Sequence, residues 1–167
     1  IAVNLPYYQF DFFPSNPAAR EDWKTEEILR RIEAERDPSR PIANVTLVAN
    51  DVYFNGPNFT WMSKLLGEPR ISLRGVNSRL CEFSQFVVLK TGTLGPPGVI
   101  DGLPQASKLI RDKEAWFARA YEEAASWPLP DGSSAVLFQR RRPAQPPFKG
   151  RRVYYDGLDA GAFTIKP

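Results

Sequence analysis

The stretch Ala43-Asn-Val-Thr-Leu-Val-Ala-Asn-Asp-Val-Tyr-Phe-Asn-Gly-Pro-Asn-Phe-Thr-Trp61 decides how this chain folds. It begins as a short apolar run with β-branched Val45, Thr46 and Val48, the composition of a strand buried on both faces. The run stops at Asn50-Asp51, whose side chains bond to nearby backbone and favour turns. Asn55-Gly56-Pro57-Asn58 then leads into a helix expected over 57–66, with Pro57 in the first turn, where its missing N–H is not needed. Phe59, Met62, Leu65 and Leu66 are expected on that helix's buried face and Gly67 at its C-cap. Polar residues at the end of a buried strand and ahead of a helix stand where open α/β sheets bind ligands. Asn50, Asp51, Tyr53 and Asn55 are therefore the first candidate binding residues; capping of the turn and the helix is their structural alternative.

On the N-terminal side, Asp22 reads as the N-cap of a helix over 23–36 that turns Trp23, Ile28, Leu29 and Ile32 inward. Asp37-Pro38 ends it, because a proline disfavours helix in the residue before it. Ahead of that helix, residues 1–21 form an extended aromatic segment, read first as a strap on the domain and second as a platform for sugars or bases. On the C-terminal side, Ile71–Val76 alternates like a short strand and Asn77–Glu82 reads as a loop or helical turn. Gln85–Lys90 is the second buried strand and ends in the polar turn Lys90-Thr-Gly-Thr-Leu-Gly-Pro-Pro-Gly98. Pro104 opens a long helix expected over 104–126, with Leu109, Ile110, Trp116, Phe117, Ala120, Tyr121 and Ala124 as its apolar stripe and Trp127-Pro128 as its stop. Pro130-Asp-Gly-Ser is a turn, and Ser134–Gln139 a further strand, expected at an antiparallel edge.

Helices alternating with short apolar strands predict an α/β fold: a three-layer α/β/α, Rossmann-like domain with a short, mostly parallel sheet of about four strands. That domain is expected over 1–142. Residues 143–167 form a basic C-terminal extension with one weak strand, Arg152–Tyr155, and are read as a tail or as a further element on the same domain.

Composition narrows the chemistry. A chain of 167 residues suits one domain. Its 16 prolines are close to twice the usual ~5%, so many connections should be rigid and extended. The single cysteine, Cys81, excludes an internal disulfide framework. With no histidine, Ser-His-Asp and Cys-His nucleophile systems and histidine metal ligands are excluded. No catalytic residue, metal site or cofactor is assigned. No run approaches the ~18–20 apolar residues of a membrane span. The chain starts at Ile1 and its one methionine is Met62, so a processed product or, preferred, a piece cut from a longer protein is expected.

Three further motifs carry competing readings. Lys90, at the end of the second buried strand, joins the candidate binding residues because two strand ends could present Asp51 and Lys90 to one crevice. A buried Asp–Lys pair is as often structural. Gly92-x-x-Gly95-x-x-Gly98 invites a phosphate-loop reading, weakened by Pro96 and Pro97 and by the lack of a helix directly after it. Arg140, Arg141, Arg142, Lys149, Arg151 and Arg152 form a basic block, without which the rest of the chain is net acidic. Such a block suits anionic lipid headgroups, a lipid-linked sugar phosphate or nucleic acid, or it is a solvated edge that protects a strand from pairing.

Several phrases also occur together: Asp22-Trp-Lys-Thr-Glu-Glu-Ile-Leu29, Val45-Thr-Leu-Val-Ala-Asn-Asp-Val-Tyr-Phe-Asn55, Phe86-Val-Val-Leu-Lys-Thr-Gly92 with Leu94-Gly-Pro96, and Trp127-Pro-Leu-Pro-Asp-Gly-Ser133 followed by Val136-Leu-Phe-Gln-Arg140. In these the chain resembles the soluble C-terminal extracytoplasmic domain of bacterial polytopic membrane glycosyltransferases of the protein-mannosyltransferase-like class. The resemblance implies an accessory role, in acceptor recognition or assembly, within an enzyme that transfers a sugar from a polyprenyl-phosphate donor. It implies a place on the outer side of the cell membrane, with the membrane domain of the parent chain as partner. The catalytic acid of that class lies in the membrane domain, so none is carried over here. The alternatives are a free-standing small-molecule-binding or enzymatic domain with a crevice at Asn50, Asp51 and Lys90, and, least favoured, a nucleic-acid-binding module using residues 140–155.

Overall fold

Every residue of β1 (Ala43–Val48) is buried, so this strand lies inside a sheet covered on both faces. The computed structural model describes residues 21–38, 40–67, 70–76, 83–98, 100 and 102–141, and, as backbone, 151–155 and 158–163. β1 pairs in parallel on one side with β2 (Ile71–Arg74), from Ala43 opposite Ile71 to Thr46 opposite Arg74. On its other side it pairs in parallel with β3 (Phe86–Lys90), from Val45 opposite Phe86 to Val48 opposite Leu89. β3 then pairs antiparallel with β5 (Ser134–Arg140), and β5 antiparallel with β4 (Tyr121–Pro128). The resulting five-stranded sheet runs β2-β1-β3-β5-β4.

Alternation along the strands divides the core in two. Val45 and Leu47, Phe86 and Val88, and Ala135 and Leu137 meet Ile28, Leu29 and Ile32 of α1 (Thr25–Glu35) and Phe59 of α2 (Gly56–Leu65). Val48, Val87 and Leu89 meet Leu103, Ala106 and Ile110 of α3 (Leu103–Arg111) and Phe117 of α4 (Trp116–Ala120). Each face of the sheet is thus sealed by a helix pair, which is why the central strands read as continuous apolar runs.

Expectations for the sheet, the long helix and the first helix cap are corrected. The sheet has five strands and is mixed, because the C-terminal half returns as a hairpin instead of by helical crossovers. β5 is not an edge: it is enclosed between β3 and β4, with Leu137 fully buried. The long helix over 104–126 is three elements. Asp112 leaves helical geometry at ψ 110° and its carboxylate accepts the Glu114 N–H at 2.9 Å, turning the chain between α3 and α4. Tyr121 then becomes extended and opens β4, where pairing with β5 overrides the helical spacing of the apolar residues. Finally, Asp22 is not the N-cap of α1. Lys24 holds that position in left-handed geometry at φ 59°, with Asp22 accepting its N–H at 2.8 Å.

In α2, Phe59 is buried and Met62 and Leu66 pack against the same core, but Leu65 is 61% exposed, one turn beyond the exposed Trp61. Gly67 follows the helix at φ 67°, as a glycine at a helix end allows. The weak strand at the C-terminus is β6 (Arg151–Tyr155), paired antiparallel with β7 (Leu158–Phe163) in a separate two-stranded sheet. The expectations for residues 1–20, 77–82 and 142–150 lie outside the described residues.

One contact ties the second face to the sheet. The Tyr121 hydroxyl donates within reach of two carbonyls, Ser84 at 2.8 Å and Phe83 at 3.1 Å, while its ring stacks on Phe117 with centroids 4.3 Å apart. Burial pushes the phenol up to about 12. Thr46 Oγ1 accepts the Ser84 N–H at 3.1 Å, so the segment before β3 is held from β1 and β4 together.

Two leucines separate burial from hydrophobicity. Leu137→Ala should cost about 2–5 kcal/mol, because a buried void is left. Leu65→Ala should change stability by no more than about 0.5 kcal/mol. Urea unfolding followed by circular dichroism checks both.

Candidate functional site

The carboxyl ends of β1 and β3 are where successive connections part: α2 follows β1 onto one face of the sheet, and α3 follows β3 onto the other. In open α/β sheets that parting leaves a crevice. Here the chain fills it. The Asn50 N–H donates to the Leu94 carbonyl at 2.6 Å, joining the end of β1 to the loop after β3. Gly95 lies so close that a Cβ would overlap the Asn50 carbonyl, and its φ of 141° is one that other residues avoid. The glycines of the 92–98 loop therefore serve close packing and turning, with Gly92 at φ 71° and Gly98 at φ 88°.

Beneath this seal lies Lys90, fully buried. Its ammonium donates to Asp131 Oδ2 at 2.6 Å and to the Thr93 carbonyl at 2.8 Å, and Asp51 Oδ2 lies 3.8 Å away. Three separate segments thus converge on one cation: the turn after β1, the loop after β3 and the β4–β5 turn. Partial burial raises the Asp131 carboxyl, but hydrogen bonds from Lys90 and from the Ser133 hydroxyl and N–H outweigh it and hold it at about 2. A lysine ammonium removed from water needs such partners to stay charged.

Asn55 is the N-cap of α2. Its Oδ1 accepts the Asn58 N–H at 3.0 Å, and its Nδ2 donates to the carbonyls of Asp51 at 2.8 Å and Val52 at 2.9 Å. Tyr53 lies 5.6 Å, centroid to centroid, from Trp23 at the start of the α1 segment. Four of the five candidate residues are thus placed among structural contacts: Lys90 and Asp51 in the buried ion cluster, Asn55 in a cap and Tyr53 in an aromatic pair. Arg140 ends β5. Arg141 meets Glu122 at 3.4 Å and donates to the Tyr121 carbonyl at 3.2 Å. Arg142 and Lys149 lie outside the described residues, and Arg151 and Arg152 are placed by their backbone in β6.

One open space lies one strand over. A cleft of about 640 Å³ sits above the carboxyl ends of β1 and β2, between them and α2. Asn50 is the one sequence-predicted binding residue that lines it. Its other polar lining comes from Thr60, Lys64 and Arg74, and Trp61 and Leu73 supply apolar surface. Trp61 is 64% exposed, and no carboxylate is among the described lining residues. Trp61, Lys64 and Arg74 were not picked out from sequence. The usable signal was Trp61 and Lys64 at i, i+3, beside the expected buried positions of α2 instead of among them.

This arrangement can bind, through an aromatic face, two cations and a few hydrogen-bonding groups. No group of three or more Cys, Asp or Glu able to hold a metal ion occurs among the described residues, and no helix among them is long and apolar enough to cross a membrane. Neither family models, curated proteins nor solved structures yield a match to this chain.

Two outcomes test the sealed strand ends. Lys90→Met removes the cation between Asp131 and Asp51, whose carboxylates keep partial access to water, and should cost about 1–3 kcal/mol in urea unfolding. The Asp131 carboxylate lies below its ordinary 3.8, so its stabilising effect is complete above that pH and fades as pH falls toward about 2. Asp131→Asn should flatten this acid limb, as read from unfolding midpoints between pH 5 and pH 2. Independently, Gly95→Ala should destabilise by at least about 2 kcal/mol, whereas an alanine at Gly56, where a Cβ would meet nothing, should not.

Proposed function

We propose that this chain is a non-catalytic recognition domain, the accessory soluble domain of a polytopic membrane glycosyltransferase that transfers a sugar from a polyprenyl-phosphate donor. The observation that carries this reading is the cleft at the ends of β1 and β2. It sets an exposed tryptophan beside Lys64 and Arg74 without any acid, base or nucleophile constellation among its described lining residues. The phrases that resemble such enzymes support it from another side. They fall on the start of α1, on β1 and its turn, on β3 and its loop, and on the β4–β5 hairpin, the segments that build and seal the strand ends. With helix pairs on both faces of its sheet, the domain is best described as a three-layer, Rossmann-like sandwich whose second half has become a hairpin.

In this reading the domain stands on the outer side of the cell membrane beside the membrane part of its own parent chain. It helps to present the acceptor or the lipid-linked sugar, and the reaction belongs to that membrane part. The basic residues about Arg140 and Arg151 then face anionic headgroups. The second reading, a free-standing small-molecule-binding domain, would use the same cleft.

The test begins with the parent open reading frame, where a run of apolar spans ahead of Ile1 is expected and its absence overturns the proposal. Membranes carrying the full-length parent should transfer sugar from a polyprenyl-phosphate donor. Membranes carrying the parent without this domain should lose most of that transfer, and the isolated chain should show none. Turnover of donor by the isolated chain would place the chemistry here instead.

A further inference from the structure

A second open space, of about 570 Å³, lies between the loop after β3 and α3, and shares no described lining residue with the cleft at β1 and β2. The spacing of α3 sets its chemistry. Leu103, Ala106 and Ile110 face the sheet, so Ser107, Lys108 and Arg111 fall beside that apolar stripe, and all three line the opening. Lys108 and Arg111 are exposed, and neither is ion-paired among the described residues. Ser107 is only 7% exposed, yet its hydroxyl has no hydrogen-bond partner among them. Cations in the last turn of a helix also offset its negative end. That role leaves the serine unexplained, because a buried polar group is normally paired.

The loop supplies the opposite wall. Its Thr93 carbonyl accepts from Lys90, and its Leu94 carbonyl accepts from the Asn50 N–H. In a planar trans peptide the N–H stands opposite the carbonyl, so the Leu94 and Gly95 N–H groups turn away from that seal. Leu94 lines the opening beside Gly92. Hydroxyl, ammonium, guanidinium and backbone N–H can all donate, and a guanidinium meets two oxygens of one oxyanion at once.

One acceptor breaks this pattern and selects the anion. Asp112 also lines the opening; its Oδ1 accepts the Glu114 N–H at 2.9 Å, which leaves Oδ2 for a further donor. A carboxylate repels an oxyanion without a proton, such as sulfate, but accepts a hydrogen bond from one that carries a proton. Inorganic phosphate keeps a proton at neutral and mildly alkaline pH, whereas a phosphate monoester loses its last one at about pH 6.

We propose that this opening binds inorganic phosphate as hydrogen phosphate, with Ser107, Lys108 and Arg111 holding its oxygens and Asp112 accepting the hydrogen bond from its P–OH. The glycine loop that reads in sequence as a phosphate loop then acts with the basic last turn of α3 instead of with a helix N-terminus. The assignment does not rest on the recognition role proposed above.

Isothermal titration calorimetry of the folded chain, in phosphate-free buffer at about pH 8, tests it with inorganic phosphate, sulfate and methyl phosphate at matched ionic strength. Saturable binding of phosphate is expected, about tenfold or more tighter than that of sulfate or methyl phosphate. Lys108→Ala with Arg111→Ala should weaken phosphate about tenfold or more, and Ser107→Ala about threefold, with unfolding midpoints held. Asp112→Asn, whose amide oxygen still accepts the Glu114 N–H, should erase the preference by weakening phosphate and strengthening sulfate.

No saturable phosphate binding up to about 10 mM overturns the proposal. So does sulfate or methyl phosphate binding as tightly as phosphate, a preference that Asp112→Asn leaves intact, or binding that the double alanine variant leaves unchanged. Should Asp112→Asn fail to fold, the comparison of the three anions on the unaltered chain decides.

Discussion

The fully buried Lys90 ammonium is the constraint around which this domain is arranged. A charge out of water survives only if its partners are delivered to it, and here they come from distant parts of the chain. Asp131 arrives on the β4–β5 turn at 2.6 Å, the Thr93 carbonyl on the loop after β3 at 2.8 Å, and Asp51 on the turn after β1 at 3.8 Å. The cluster therefore couples the parallel half of the sheet to its antiparallel half. Burial of Ala135 and Leu137 on one face already sets the register of β5 on β3, and the ion cluster adds to it with Lys90 opposite Ala135.

The strand ends beside this cluster are closed by other contacts of the same loops. An α/β sheet usually opens at the point where its connections part, between the ends of β1 and β3. In this chain that point is occupied by the protein itself, through the Asn50 to Leu94 hydrogen bond and the approach of Gly95 to the Asn50 carbonyl. An open volume lies instead on the β1–β2 side, where the edge strand is short and α2 turns Trp61 outward. The place with the most charged chemistry is thereby structural, and the place with the least conspicuous sequence is the better candidate for recognition.

Much of the fold was legible because short buried strands and capped helices carry their signals locally. The β1 run, the Pro57 first turn, the Gly67 helix end and the Gln85–Lys90 strand all stand within a residue or two of where sequence places them. The long helix failed for the complementary reason. Leu109, Ile110, Trp116, Phe117, Ala120 and Tyr121 do all contact the second core cluster, so their spacing is that of a helix packed on the sheet. Yet the turn at Asp112 and the pairing of Tyr121 opposite Arg140 divide the run into helix, helix and strand. Residue by residue the site was half legible: Asp51 and Lys90 are near one another as read from the two strand ends, whereas Asp131, which completes the cluster, carries only a turn signal in sequence.

The sequence by itself determined the α/β class, the two buried strands at the centre, the helix between β1 and β2, and the exclusion of histidine-based chemistry. Those follow from composition and from periods shorter than one element. The tertiary structure alone decided that the sheet is mixed, that β5 is interior, that the parting of the strands is sealed, and that Trp61, Lys64 and Arg74 share a cleft. Each of these depends on which distant segments pair or touch. That choice is made by burial of both sheet faces and by the need to surround the Lys90 charge, neither of which is encoded in any single stretch of the chain.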